Sequence, residues 1–139
     1  MQQTKDLDKL LNRFTPQDVI GAIFAYSGID TFSSDRKLLH KFIREQKKGG
    51  GAELLESFVF SEGVDLYPFS RLLESVLMGL QLGGWLSAKN PEFNRFELPG
   101  ENRMDIKAKV DKRFSEEQIA TLKKIGQDFR KFIEKEHQK

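Results

Sequence analysis

YPFSRLLESVLMGLQLGGWLSAKNPEFNRFEL, residues Tyr67–Leu98, carries the clearest architectural signal in the chain. Phe69, Leu72, Leu73, Val76, Leu77 and Leu80 recur at i, i+3, i+4, i+7, i+8 and i+11, which is one apolar stripe along a helix. The spacing predicts a helix over roughly Pro68–Leu82. Gly83-Gly84 stops it. Trp85 then opens a strand, Asn90-Pro91 supplies a turn, and Phe96 with Leu98 marks the return strand. A helix, a glycine stop and an immediate hairpin form the back half of a winged helix.

The elements on either side complete that order. Lys5–Phe14 has Leu7, Leu10, Leu11 and Phe14 at helical spacing. Thr15-Pro16-Gln17-Asp18 is a stronger start: Thr15 can cap, Pro16 suits the first helical position, and Asp18 sits where a capping-box acid belongs. That helix should bury Val19, Ile20, Ile23 and Phe24 and stop at Ser27-Gly28. Ile29 and Phe32 fall in a brief strand. Ser34 is expected to cap the next helix, whose inner face is Leu38, Leu39, Phe42 and Ile43. Lys47-Lys48-Gly49-Gly50-Gly51 reads as a mobile loop, and Glu53–Phe60 as a short helix leading to an extended piece. Residues 101–113 are polar, with Ile106–Val110 as a candidate third strand. Ser115-Glu116-Glu117-Gln118 is a capping box. It opens a final helix with Ile119, Leu122, Ile125, Phe129, Phe132 and Ile133 on one face, ending in a tail that frays.

The expected fold is mainly α with a small antiparallel β-hairpin, a winged-helix-like single domain. Residues 1–14 form an N-terminal helical extension, 15–114 the winged-helix-like core, and 115–139 a C-terminal helix packing on the core. At 139 residues the chain suits one domain, and its 12 phenylalanines can supply much of the interior. There is no cysteine, which excludes disulfides, thiolate catalysis and Cys-based zinc sites. No apolar run is long enough to span a bilayer and the N-terminus has no signal-peptide core, so a cytoplasmic protein is expected.

Catalytic, metal and cofactor signals are weak, and none of these sites is assigned. HExxH, GxSxG and P-loop motifs are absent. His40 has no nucleophile at a telling spacing and reads as a boundary or surface histidine. Gly49–Gly51 follows a helix and lacks GK[ST], so it reads as a linker. Glu53, Glu56, Glu62 and Asp65 read as a solvated acidic patch.

Charge points to macromolecular contact. Residues 34–50 hold Arg36, Lys37, Lys41, Arg44, Lys47 and Lys48 against Asp35 and Glu45. Residues 52–76 hold Glu53, Glu56, Glu62, Asp65 and Glu74 against Arg71 alone. Such segregation can steer a partner or a second copy of the chain. The outward face of the third helix offers Arg71, Ser75, Met78 and Gln81, with Glu74 expected to repel phosphate. The hairpin adds Lys89 and Arg95. Met78, Gly79 and Trp85 near the end of the third helix could present an apolar spot, but Trp85 reads first as a core anchor under the wing. The candidate contact residues are Arg36, Lys37, Lys41, Arg44, Arg71, Ser75, Met78, Gln81, Lys89 and Arg95. A protein partner or homodimer is the first expectation, and DNA the alternative.

The segments DRKLLHKFI, FVFSEGVDLYPFSRLLESVLMGLQLGGWL and FELPG together resemble winged-helix-like bacterial proteins related to the SocA antitoxin (the Panacea group) and the YwgA-like proteins. The matching positions are Lys37, Leu38 and Phe42, then Tyr67, Pro68, Ser70, Leu73, Leu77, Leu80, Gly84, Trp85 and Leu86. YPFS stands where that group has GPYS. The likeness runs from Thr15 into the final helix. It implies a winged-helix-type fold and a role in bacterial regulation or toxin–antitoxin and defence systems. It brings no catalytic residue. Many members of such groups act through proteins rather than DNA, which suits a poorly basic third helix.

Overall fold

Thr15 begins the first helix as its capping box requires. Its Oγ1 accepts from Asp18 N at 3.2 Å, and Asp18 Oδ2 accepts from Thr15 N at 2.9 Å. The computed structural model describes residues 14–61, 67–88 and 95–137. The expected helix over Lys5–Phe14 (all but Phe14), the turn at Asn90-Pro91 and candidate contact Lys89 therefore lie outside the described residues.

Helix α1, Pro16–Ser27, is buried along nearly its whole length, from Val19 to Ala25. It is the central rod: α3, α4 and α5 all pack on it. Gly28 closes it at φ +73°, a left-handed conformation suited to glycine. Strand β1, Thr31–Ser33, follows. Helix α2 spans Arg36–Lys48. Its cap is Asp35, whose Oδ1 accepts from Lys37 N at 3.0 Å, and not Ser34 as expected.

The glycines after α2 do not form the loose linker expected. Residues 49–57 are a run of turns in which Gly51, Leu54 and Leu55 are buried. Leu55 N donates to Gly51 O at 2.9 Å. A side chain on Gly51 would meet Ile125, Leu55 and the Gln46 carbonyl at 3.0 Å, so close packing holds this glycine. No helix forms over Glu53–Phe60. Phe58 is buried, and the chain extends to Ser61, which pairs antiparallel with Phe69.

That pairing sets the start of α3, Arg71–Leu82, later than the sequence suggests. Phe69 is not part of the helical stripe. Ser70 is the cap, its Oγ accepting from Leu73 N at 3.2 Å. Leu73, Val76, Leu77 and Leu80 are buried as expected. Gly83 and Gly84 end the helix: Gly83 N donates to Gly79 O at 2.9 Å, and Gly84 turns the chain at φ +81°.

Strand β2 is Ser87–Ala88 and β3 is Arg95–Glu97. The sheet is antiparallel with order β1-β3-β2, pairing Phe32 with Phe96 and Ala88 with Phe96. The third strand is thus β1. The expected strand at Ile106–Val110 lies instead within helix α4, Gly100–Arg113. Ile106 and Val110 are four residues apart, so a helix buries both on one face. Among the described residues the chain has five helices and this one sheet.

Helix α5, Glu116–His137, opens with the expected box: Gln118 N donates to Ser115 Oγ at 3.2 Å and Ser115 N to Gln118 Oε1 at 2.9 Å. It lies along α1 and buries Leu122, Ile125, Phe129 and Ile133. Phe129 meets Phe24, Phe32 and Phe42 with ring centroids 5.1–5.3 Å apart. This aromatic knot joins α1, β1, α2 and α5.

Candidate docking surface and the His40 network

Helix α2 meets the start of α3 through a buried polar group that the sequence did not reveal. His40 is 0% exposed, which corrects its expected place at a boundary or surface. Its Nδ1 accepts from the Ser70 backbone N at 3.0 Å. That assigns the ring proton to Nε2, which lies 2.7 Å from Glu74 Oε1. Phe69 stacks on the ring at 4.9 Å between centroids, with Tyr67 at 5.7 Å. Burial lowers the His40 pKa below its ordinary 6.5; Glu74 opposes that shift and the Arg36 charge adds to it.

Both ring nitrogens are thus committed within the protein, and no edge of the ring meets solvent. Ser70 Oγ is used as a helix cap. The convergence of histidine with carboxylate that catalysis would need is present, but it works as a tie between two helices. Glu74 is correspondingly turned toward α2, where Arg36 Nε binds its Oε2 at 3.1 Å. It does not stand out to repel phosphate as expected.

The candidate contact residues divide by element. On α2, Lys37 and Lys41 are exposed, and Arg44 is half-buried with its NH1 3.5 Å from Glu45. Arg36 is engaged in the fold: besides Glu74, its NH1 donates to Ser34 O at 2.9 Å and its guanidinium lies 5.0 Å from the Phe96 ring centre. On α3, Arg71, Ser75 and Met78 are exposed. Gln81 is half-buried, and its Nε2 donates to Leu77 O at 3.1 Å. Arg95 is exposed on β3, paired in register with Ser33.

One residue of this surface escaped the sequence reading. Leu82 is 82% exposed and Met78 54%, both on α3. Positions 71, 75, 78 and 82 are spaced four, three and four, so Arg71, Ser75, Met78 and Leu82 form one outward row. The signal for Leu82 was its spacing from Met78, off the register of the buried stripe. Trp85, beyond the glycine stop, is half-buried against the core.

A narrow cleft between α1, α3 and α4 is lined by Asp18, Gly21, Leu80, Trp85, Ile106 and Lys109. Asp18 binds Arg113 at 2.7 Å and Lys109 at 3.8 Å there. Burial raises its carboxyl pKa, but hydrogen bonds from Thr15 and Arg113 and the Arg113 charge outweigh this and hold it below 3.8. Of the acidic patch, Glu53 and Glu56 are exposed, while Glu62 and Asp65 lie outside the described residues. No metal-binding group of three or more His, Asp or Glu occurs among the described residues.

Comparison with family models, curated proteins and solved structures gave no match. The likeness to the SocA-related group rests on the sequence motifs alone. No helix among the described residues is long and apolar enough to cross a membrane.

Proposed function

We propose that this chain is a non-enzymatic bacterial regulatory or adaptor module that docks a protein partner through the outer face of α3. The observation that carries the reading is the pair Met78 and Leu82, two large apolar side chains held in water one turn apart. Exposed apolar side chains in a row, rimmed by polar Arg71 and Ser75, suit a protein contact. The element order α1-β1-α2-α3-β2-β3, with sheet order β1-β3-β2, supports a winged-helix-like arrangement. The bacterial, cytoplasmic and defence-related setting comes from the resemblance and the cysteine-free composition. Two apolar side chains are few for a permanent homodimer, whose interface exceeds ~2,000 Å². A different protein is therefore the partner proposed.

A regulator that inserts α3 into a DNA major groove is the weaker reading. Its outward row offers a single cation, Arg71, and two apolar side chains where base edges ask for hydrogen bonds. Co-purification from a native host tests the proposal. A defined partner should be retained by the wild-type chain and lost with Met78→Asp and Leu82→Asp, while far-UV circular dichroism stays unchanged. A monomer that retains nothing, or variants that retain the same partner, would reject it.

A further inference from the structure

The cations of α2 fall into two sets. Arg36 and Lys47 serve the fold: Arg36 binds Glu74, and Lys47 Nζ donates to the Phe58 carbonyl at 2.6 Å. Arg44 faces Glu45. Lys37, Lys41 and Lys48 are exposed and enter no ion pair among the described residues. Positions 37, 41, 44 and 48 are spaced four, three and four. They form one row down the outside of the helix, opposite the buried Leu39, Phe42 and Ile43.

Successive members of the row are like charges at i,i+3 or i,i+4, an arrangement that opposes helix formation. The row extends over about 16 Å at the helical rise of 1.5 Å per residue. The large exposed apolar residues of the described chain lie elsewhere, at Val59, Met78, Leu82 and Met104. Among the described residues α2 itself therefore presents no large exposed apolar side chain to insert into lipid or to anchor a protein interface. Hydrated ammonium groups on flexible stems match phosphates, which require charge more than shape.

We infer that the outer face of α2 holds the sugar–phosphate backbone of a nucleic acid, with Lys37, Lys41 and Lys48 as its phosphate contacts. This surface is separate from the α3 row and stands without it. The test is fluorescence anisotropy with a labelled duplex and a labelled single strand of arbitrary sequence, between ~50 and ~200 mM salt. Three contacts give a slope of log affinity on log salt near −2.7 for duplex DNA or near −2.1 for a single strand. On duplex that is about a 40-fold loss over the range. Replacing all three lysines with glutamine should remove that dependence with circular dichroism unchanged. Each single replacement should reduce the slope by about 0.9 on duplex, so the single variants carry the test if the triple variant unfolds. Met78→Asp should leave the slope as it is. The inference is overturned by no binding at ~50 mM salt or by a slope indifferent to these lysines. Equally tight lysine-dependent binding to polyglutamate or phosphatidylserine vesicles also overturns it.

Discussion

Gly126 shows how one missing side chain sets the approach of two helices. A Cβ built there would lie 2.8 Å from the Tyr26 carbonyl carbon and 2.9 Å from Ser27 N, both on α1. The obstacle is backbone, which cannot swing aside. Alanine would gain up to ~1 kcal/mol of helix propensity in α5. Overpacking costs about 1–3 kcal/mol and should win. Gly126→Ala is expected to lower the urea midpoint, and Gly126→Val to lower it further. Asp18 gives a second residue-scale prediction. Its carboxyl is depressed in the fold, so its contribution is complete above the unfolded value near 3.9 and is lost as pH falls through the folded value. Asp18→Asn keeps an amide oxygen for Thr15 N but removes the charge paired with Arg113 and Lys109, so it should cost ~1 kcal/mol at pH 7. The variant should also show a flatter decline than wild type between pH 5 and 2, read by urea unfolding. The Thr15–Asp18 box was legible in the sequence because it is a local pattern. The ion pair to Arg113, 95 residues away, was not.

At the scale of elements, periodicity was reliable where a stripe is long and ambiguous where apolar residues are sparse. The buried register of α3 could be read directly, yet its first turn could not. Phe69 continues the spacing but is drawn into a pairing with Ser61, and only Ser70 caps. Residues 101–113 present two buried aliphatics four apart, which fits a helix, but their polarity suggested otherwise. The tie between α2 and α3 was invisible because His40 and Glu74 are far apart in sequence. It makes a sharp prediction. His40 has a lowered pKa, so between that value and 6.5 the unfolded chain binds more protons than the folded one. Stability is therefore complete above pH 6.5 and falls as pH drops toward the folded value. Arg36 and Glu74 are the charged described groups that touch this network. Unfolding by urea between pH 7.5 and 5 should show this decline in wild type. His40→Gln should be less stable at pH 7.5 and lack the decline; a variant that keeps it would place the titrating group elsewhere.

For the molecule as a whole, α1 is what makes the parts one body. It is buried from Val19 to Ala25, and α3, α4 and α5 all pack on it. The sequence indicated an ordinary amphipathic helix there, with Val19, Ile20, Ile23 and Phe24 inward; that inward set leaves out Gly21, Ala22 and Ala25. In the fold all three are buried, and Gly21 lies against Leu80 of α3 and Ile106 of α4. A centre of this kind predicts cooperative unfolding, because α3, α4 and α5 each lose the helix they pack on once α1 leaves, and α2 is joined to them through Phe42 on Phe129 of α5. The single tryptophan provides the check. Trp85 sits at the α3–α4 junction, where Asn102 Nδ2 donates to its carbonyl at 3.2 Å, so its fluorescence reports that corner alone. Far-UV circular dichroism reports all five helices. The two urea transitions should coincide in wild type. Ile23→Ala, at a site with 0% exposure, should shift both by the same amount, at a cost of about 2–5 kcal/mol. A tryptophan transition that runs ahead of the helical one would mean that the α3–α4 corner opens without the rest, and that α1 does not unify the fold.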